Sequence, residues 1–267
     1  MAVTRATPDT LPPTIIVPGA DHDVPVRVFP GGTGSAGLLV WAHGGSWRSG
    51  ATVDWAPALA HLARIAATTV VGVDYRLAPE HPHPAALIDV LTVLDWADAE
   101  HVSVGGDSAG ATIAASAALA RRDLGRPLAA QVLAYPPIDP GCRAGSYRGR
   151  PGAFPSRAAL GSAWRAYRGE APTHPAAAGA RPLYSTPDEA EDLTGVAPAI
   201  LVVGSLDPVV DDVRDYARRL RAAGVPIDLH ELAGTGHGAF LTDPAFRHRL
   251  GTAYAAAHRT ASPRRTR

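Results

Sequence analysis

Lysine is absent from this 267-residue chain. All 25 basic residues are arginine, and 25 acidic residues bring the formal net charge to zero. Nothing in that balance argues for the strongly charged surface a nucleic-acid binder presents, and no nucleic-acid partner is expected. The bias toward arginine reads as codon usage in a GC-rich genome rather than as a function. Cysteine is nearly absent too: Cys142 stands alone, so no disulfide can form within the chain and no oxidising compartment is implied. No apolar run approaches the roughly 18 residues of a membrane-spanning helix. The opening "MAVTRATPDTLPPTIIVPG" has no continuous apolar stretch between a basic end and a cleavage site. A soluble, cytoplasmic protein with no membrane partner is expected. No P-loop occurs, and no G-x-G-x-x-G follows a strand. His81 and His83 lack further Cys or His ligands nearby. No cofactor and no metal are expected.

What is present is an alternation of strand and helix. "TIIV" and "VPVRVF" read as two early strands, and "GLLVWAHGG" (37–45) as a strand buried on both faces. A helical period follows over 54–67, then the strand "TTVVGVDYR" (68–76) and a helix over 87–97 with Pro84 near its start. "HVSVGG", the helix after Ser108 and "AAQVLAYP" (129–136) continue the rhythm. It breaks over 140–192, where glycine, proline and arginine crowd around one helical piece, Ser156 to Tyr167. This stretch reads as an insertion. Strand "AILVVGS" (199–205), helix 210–223, strand "IDLHEL" (227–232) and a last helix over 243–258 complete the series. Such alternation predicts a mostly parallel sheet of about eight strands, covered by helices on both faces. One domain is expected over 1–267, with 1–13 loose and 259–267 a frayed tail carrying Arg264, Arg265 and Arg267.

Three stretches carry chemistry. Gly106-Asp107-Ser108-Ala109-Gly110 places a serine where a strand turns sharply into a helix, with glycine two residues either side, where a side chain would collide. The following helix aims its positive end at the turn. His43-Gly44-Gly45-Ser46-Trp47 ends a buried strand, and its glycines leave backbone N–H groups open to a substrate. Gly44 and Gly45, with Ala109, are the candidate oxyanion donors. Asp207 and His237 also sit just past strand ends, in the order Ser108, Asp207, His237. A neutral imidazole takes the serine proton, and the carboxylate fixes the imidazole's tautomer. Trp47, Phe154 and Trp164 are candidates for the pocket wall, although buried tryptophan is more often core. Asp211 and Asp212 read as helix openers.

Together these segments resemble the hormone-sensitive-lipase-like branch of the α/β-hydrolases, the bacterial family IV esterases. The resemblance rests on "HGGSW", "DYRLAPEHPHPAALID" (74–89), "GGDSAG", "AEDLTGVAPAILVVGSLDPVVDD" and "HELAGTGHGAF", and runs from Ala36 to Ala257. It implies an α/β-hydrolase fold with a small cap insertion. It also implies a Ser108 nucleophile, an Asp207 acid, a His237 base, small-molecule ester substrates and, as in many relatives, a homodimer. Three positions depart from the family's pattern. Ser46 replaces a frequent third glycine, Ala111-Thr112 replace Gly-Asn, and only residues 1–42 precede His43, which implies a reduced N-terminal cap. "HGGSW" also resembles kynurenine formamidases, which leaves formamide hydrolysis as an alternative. A binding protein on an inactive hydrolase scaffold, as in plant gibberellin receptors, is a third reading that the presence of His237 disfavours.

Overall fold

A computed structural model of the chain describes residues 11–32, 37–97, 99, 101–148, 152–169 and 183–261, with side chains placed as far as residue 257. One eight-stranded sheet organises it, in the order β1-β2-β4-β3-β5-β6-β7-β8. The strands are β1 (Thr14–Val17), β2 (Val24–Phe29), β3 (Leu38–Ala42), β4 (Thr69–Val73), β5 (Val102–Asp107), β6 (Gln131–Ala134), β7 (Ala199–Gly204) and β8 (Ile227–Leu232). From β3 onward every pairing is parallel, while β2 runs antiparallel to β1 and β4. This is the mostly parallel sheet that the alternation predicts, in the α/β-hydrolase architecture that the resemblance implies.

Seven helices accompany the sheet among the described residues: α1 (Thr52–Ala66), α2 (Ala85–Trp96), α3 (Ala109–Asp123), α4 (Arg157–Arg168), α5 (Val210–Ala222), α6 (Ala239–Thr242) and α7 (Pro244–Ala261). Helix α1 packs against α7, and α2 against α3, so the sheet is covered in two layers. The central strands β3, β4, β5, β6 and β7 are buried almost throughout, as their continuous apolar runs require. Strand β8, at an edge, is only half-buried. No helix among the described residues is long and apolar enough to cross a membrane.

The helix expected over 243–258 is α7 (Pro244–Ala261), and the short α6 just before it is an addition. Pro244 disfavours helical backbone at Asp243, which is extended (φ −117°, ψ 108°) and separates α6 from α7. Asp243 Oδ1 then accepts the Ala245 N–H at 2.8 Å and caps α7.

The described part of 140–192 holds a 3-10 turn (Gly145–Arg148), helix α4 and a second 3-10 turn (Pro187–Glu189). Ser156 caps α4 by accepting the Ala159 N–H at 3.1 Å. Residues 149–151 and 170–182 of the expected insertion lie outside the described residues, as do most of 1–13 and the arginines of 264–267.

The 74–89 block is a frame around the "HGGSW" loop. Asp74 accepts from Thr52 N (2.6 Å) and Thr52 Oγ1 (2.7 Å), fixing the start of α1. The Tyr75 hydroxyl donates to the His43 carbonyl at 2.7 Å. Arg76 grips the buried Asp89 through its guanidinium, with its own backbone N–H also on that carboxylate at 2.8 Å. His83 donates Nε2–H to the Leu183 carbonyl (2.7 Å) and faces the Tyr167 hydroxyl through Nδ1 (3.3 Å). That histidine therefore ties the block to both flanks of the cap.

Candidate active site

The carboxyl ends of β3, β5, β7 and β8 converge on one crevice, the edge where open parallel sheets hold their ligands. Ser108 follows β5 directly. Its backbone (φ 50°, ψ −123°) occupies a region few side chains tolerate, and its N–H donates to the Ala134 carbonyl at 2.9 Å. The flanking glycines are sterically required. A Cβ on Gly106 would lie 2.4 Å from the Gly110 carbonyl carbon, and one on Gly110 would lie 2.1 Å from the Ala42 carbonyl oxygen. The elbow is thus pressed between its own helix and the end of β3.

Ser108 Oγ lies 2.8 Å from His237 Nε2. His237 Nδ1 faces both oxygens of Asp207, at 2.8 and 3.0 Å. The imidazole and the carboxylate are both buried. Asp207 Oδ1 also accepts the Val209 N–H at 3.0 Å, which orients the carboxylate. A carboxylate can only accept here, so Nδ1 carries the proton and Nε2 presents a lone pair to the serine hydroxyl. Three residues spread across the chain are brought into one hydrogen-bonded line.

These observations meet those from known proteins. Residues 39–241 match a family described as "alpha/beta hydrolase fold". The chain belongs to that family. The carboxylic ester hydrolase LipN of Mycobacterium tuberculosis is 37% identical over 246 residues, covering 83% of this chain and 62% of LipN. Esterase LipI of the same organism is 35% identical over 216 residues, covering 76% of this chain and 65% of LipI. The chain therefore spans less than two thirds of either relative's length. The crystal structure of esterase LipW from Mycobacterium marinum superposes with a TM-score of 0.81 at 33% identity, covering 94% of this chain and 82% of that one.

Within this α/β-hydrolase the "HGGSW" loop departs from one expectation. The Gly44 N–H donates to Asp107 Oδ1 at 3.1 Å, so it is already engaged and is not a free donor. Gly44 has another reason to be glycine: a Cβ there would meet Asp107 Oδ2 at 2.6 Å. The N–H groups of Gly45 and Ala109 have no partner among the described residues. Gly45 (φ 112°), Ser46 (φ 57°) and Trp47 (φ 60°) turn the loop through the left-handed region, and Arg48 and Ser49 close it with N–H bonds to the Gly45 carbonyl. The substitution Ala111-Thr112 is a matter of packing: Thr112 Oγ1 donates to the Pro137 carbonyl at 2.6 Å, in the core.

The three aromatic candidates separate. Phe154 is 69% exposed, and its ring stands edge-on to the His237 imidazole with centroids 5.9 Å apart. Trp47 and Trp164 are each 1% exposed and pack on one another with centroids 4.3 Å apart and planes tilted by 44°, and Tyr167 stacks on Trp47 at 4.7 Å. Those two rings join α4 to the "HGGSW" loop. Both readings made of them from the sequence, pocket wall or core, meet at this joint, and the burial is that of core.

Two carboxylates matter more than the sequence indicated. Asp107, the variable position of G-x-S-x-G, is fully buried, and burial pushes its pKa up to about 7 against the pull of three N–H donors and of His237. Asp212 opens α5 as expected, and its Oδ2 also accepts from Ile138 N (2.8 Å), Asp139 N (3.0 Å) and the Tyr147 hydroxyl (2.7 Å). Asp211 takes the Ser146 N–H at 2.9 Å. Both acids therefore hold the stem of the cap to the helix that follows Asp207. Burial raises the pKa of Asp212 to about 6. The sequence did hold one signal for Asp107: a carboxylate ending a strand otherwise made of glycine, valine and serine has to find partners in the core.

Proposed function

We propose that this α/β-hydrolase cleaves small-molecule carboxylic esters by acyl transfer, with Ser108 as nucleophile, His237 as base and Asp207 as orienting acid. The observation that carries the reading is the 2.8 Å approach of Ser108 Oγ to His237 Nε2, with Asp207 on the opposite ring nitrogen. The names of LipN and LipI, both ester hydrolases, support the substrate class.

His237 Nε2 takes the hydroxyl proton as Ser108 Oγ attacks the ester carbonyl carbon. The carbonyl oxygen gains the negative charge, and the free N–H groups of Gly45 and Ala109 hold it. The imidazolium, steadied by Asp207, then returns its proton to the departing alcohol, leaving an acyl-enzyme. Water, deprotonated by the same Nε2, attacks the acyl carbon and releases the acid. Phe154 offers an apolar wall beside the histidine for the substrate's hydrocarbon part. The described residues act as one hydrolase domain, with α4 and the 3-10 turns on either side of it as its roof.

Hydrolysis of p-nitrophenyl acetate by the wild type and by Ser108→Ala tests this. Turnover by the wild type and a loss of at least about 10⁴-fold in the variant are expected. Equal rates would remove Ser108 from the mechanism. Turnover of N-formylkynurenine well above that of the acetate would replace ester by formamide hydrolysis.

A further inference from the structure

The carboxyl group of Asp107 is not used in the acyl-transfer steps, yet it lies at the centre of the site. Its Oδ1 accepts three hydrogen bonds: from Gly44 N of the oxyanion loop at 3.1 Å, from Trp41 Nε1 of β3 at 3.2 Å and from Trp55 Nε1 of α1 at 2.9 Å. The next residue along the chain is the nucleophile. Each donor comes from a different element. Gly44 begins the loop whose following N–H, that of Gly45, faces no partner among the described residues. Trp41 is itself fixed from behind, stacked on Phe240 of α6 at 4.6 Å, three residues past His237. One oxygen atom thus joins the elbow, the oxyanion loop, the sheet and α1.

We propose that Asp107 is the positioning residue of this site, whose carboxylate oxygen locks the Gly44–Gly45 peptide against the nucleophile elbow and so aims the oxyanion donors. The inference rests on the ester-hydrolase reading. Any donor to an oxyanion must be held within a few tenths of an ångström, and a glycine-rich loop does not hold itself. The Gly44 N–H is the part of the loop that can be anchored without using a donor needed by the substrate. An acceptor is required, and an ionised one binds roughly twice as strongly as a neutral one. The titratable groups around Asp107 are His237, from the loop after β8, and the phenols of Tyr75 and Tyr135, which follow β4 and β6. Both phenols are held neutral by burial.

The test compares Asp107→Asn, which keeps an acceptor oxygen, with Asp107→Leu, which removes it. On p-nitrophenyl acetate the leucine variant is expected to lose about 100-fold in kcat with KM changed less than about threefold, the size of effect seen when an oxyanion donor is lost. The asparagine variant is expected to recover kcat to within about tenfold of wild type. A leucine variant with wild-type kcat overturns the proposal, as does an asparagine variant as damaged as leucine.

A second readout needs no turnover. In a ¹⁵N-edited spectrum, two of the five tryptophan indole N–H resonances, those of Trp41 and Trp55, should titrate together with an apparent pKa near 7. They should stand still in Asp107→Asn. Indoles that ignore the substitution would sink the bridge even if the leucine variant failed to fold. A wild type inert toward every ester and formamide would sink the functional reading and leave the indole result to decide the geometry.

Discussion

Ser108 is the residue in which the constraints of this protein meet. Its strained backbone is imposed by the compression of β5, α3 and the end of β3 onto one another, and the two glycines of the motif are where that compression is felt. Gly110→Ala would set a Cβ 2.1 and 2.4 Å from the carbonyl oxygens of Ala42 and His43, both backbone atoms that cannot swing aside. We expect it to destabilise the fold by at least about 3 kcal/mol, or to prevent folding. Gly125 is a control. It also has a positive φ (68°) but open space around it, so Gly125→Ala should cost only the roughly 1 kcal/mol of left-handed backbone. Urea midpoints for the pair separate crowding from conformation. This need for glycine was legible in the sequence, because the physics is local: a strand, a turn and a helix in ten residues. The partners of Asp107 were not, since Trp41, Gly44 and Trp55 reach it only through the sheet order, which places β3 beside β5.

At the scale of elements, strands and the longer helices both announced themselves, and the short α6 did not. Continuous apolar runs marked β3 to β7, and each begins within two residues of its expected span and ends within three. The last helix lies where it was expected, as α7, whereas the four residues of α6 are too few to show a period, and Pro244, which keeps Asp243 extended, separates the two. The cap followed the same logic. The spacing of Leu160, Ala163, Trp164 and Tyr167 gave α4 a buried face, yet what that face covers depends on a contact with Trp47, over a hundred residues away. The packing of α4 on the "HGGSW" loop rests on this aromatic group. Trp164→Ala should therefore lower the unfolding free energy by about 3–5 kcal/mol, the usual cost of emptying a tryptophan site. Chemical denaturation measures it. A change below about 1 kcal/mol would show that the ring stack does not hold the cap.

Taken as a whole, the molecule keeps a neutral formal balance but buries two carboxyl groups whose pKa values are raised, Asp107 to about 7 and Asp212 to about 6. The sign of their effect on stability follows from which state holds the proton. In the unfolded chain both titrate near 3.8; in the folded protein they keep their protons to higher pH. Between these values the native state binds more protons than the unfolded one, so stability falls as pH rises. For Asp212 the contribution is complete below about pH 4 and is lost by about pH 6. Burial, the cause of the shift, is opposed but not cancelled by the three hydrogen bonds that the Oδ2 atom accepts. Asp212→Asn keeps an acceptor for the cap stem and removes the titration. The difference in unfolding free energy between this variant and wild type should therefore move in the variant's favour as pH goes from 4 to 7. Its size should be on the order of 2–3 kcal/mol, from about two units at 1.36 kcal/mol each. Taking the difference removes groups common to both proteins, which a single wild-type profile cannot do. A difference independent of pH would mean that the Asp212 carboxyl ionises in the folded protein as it does in the unfolded chain, and that the cap stem is held by an ordinary charged acid.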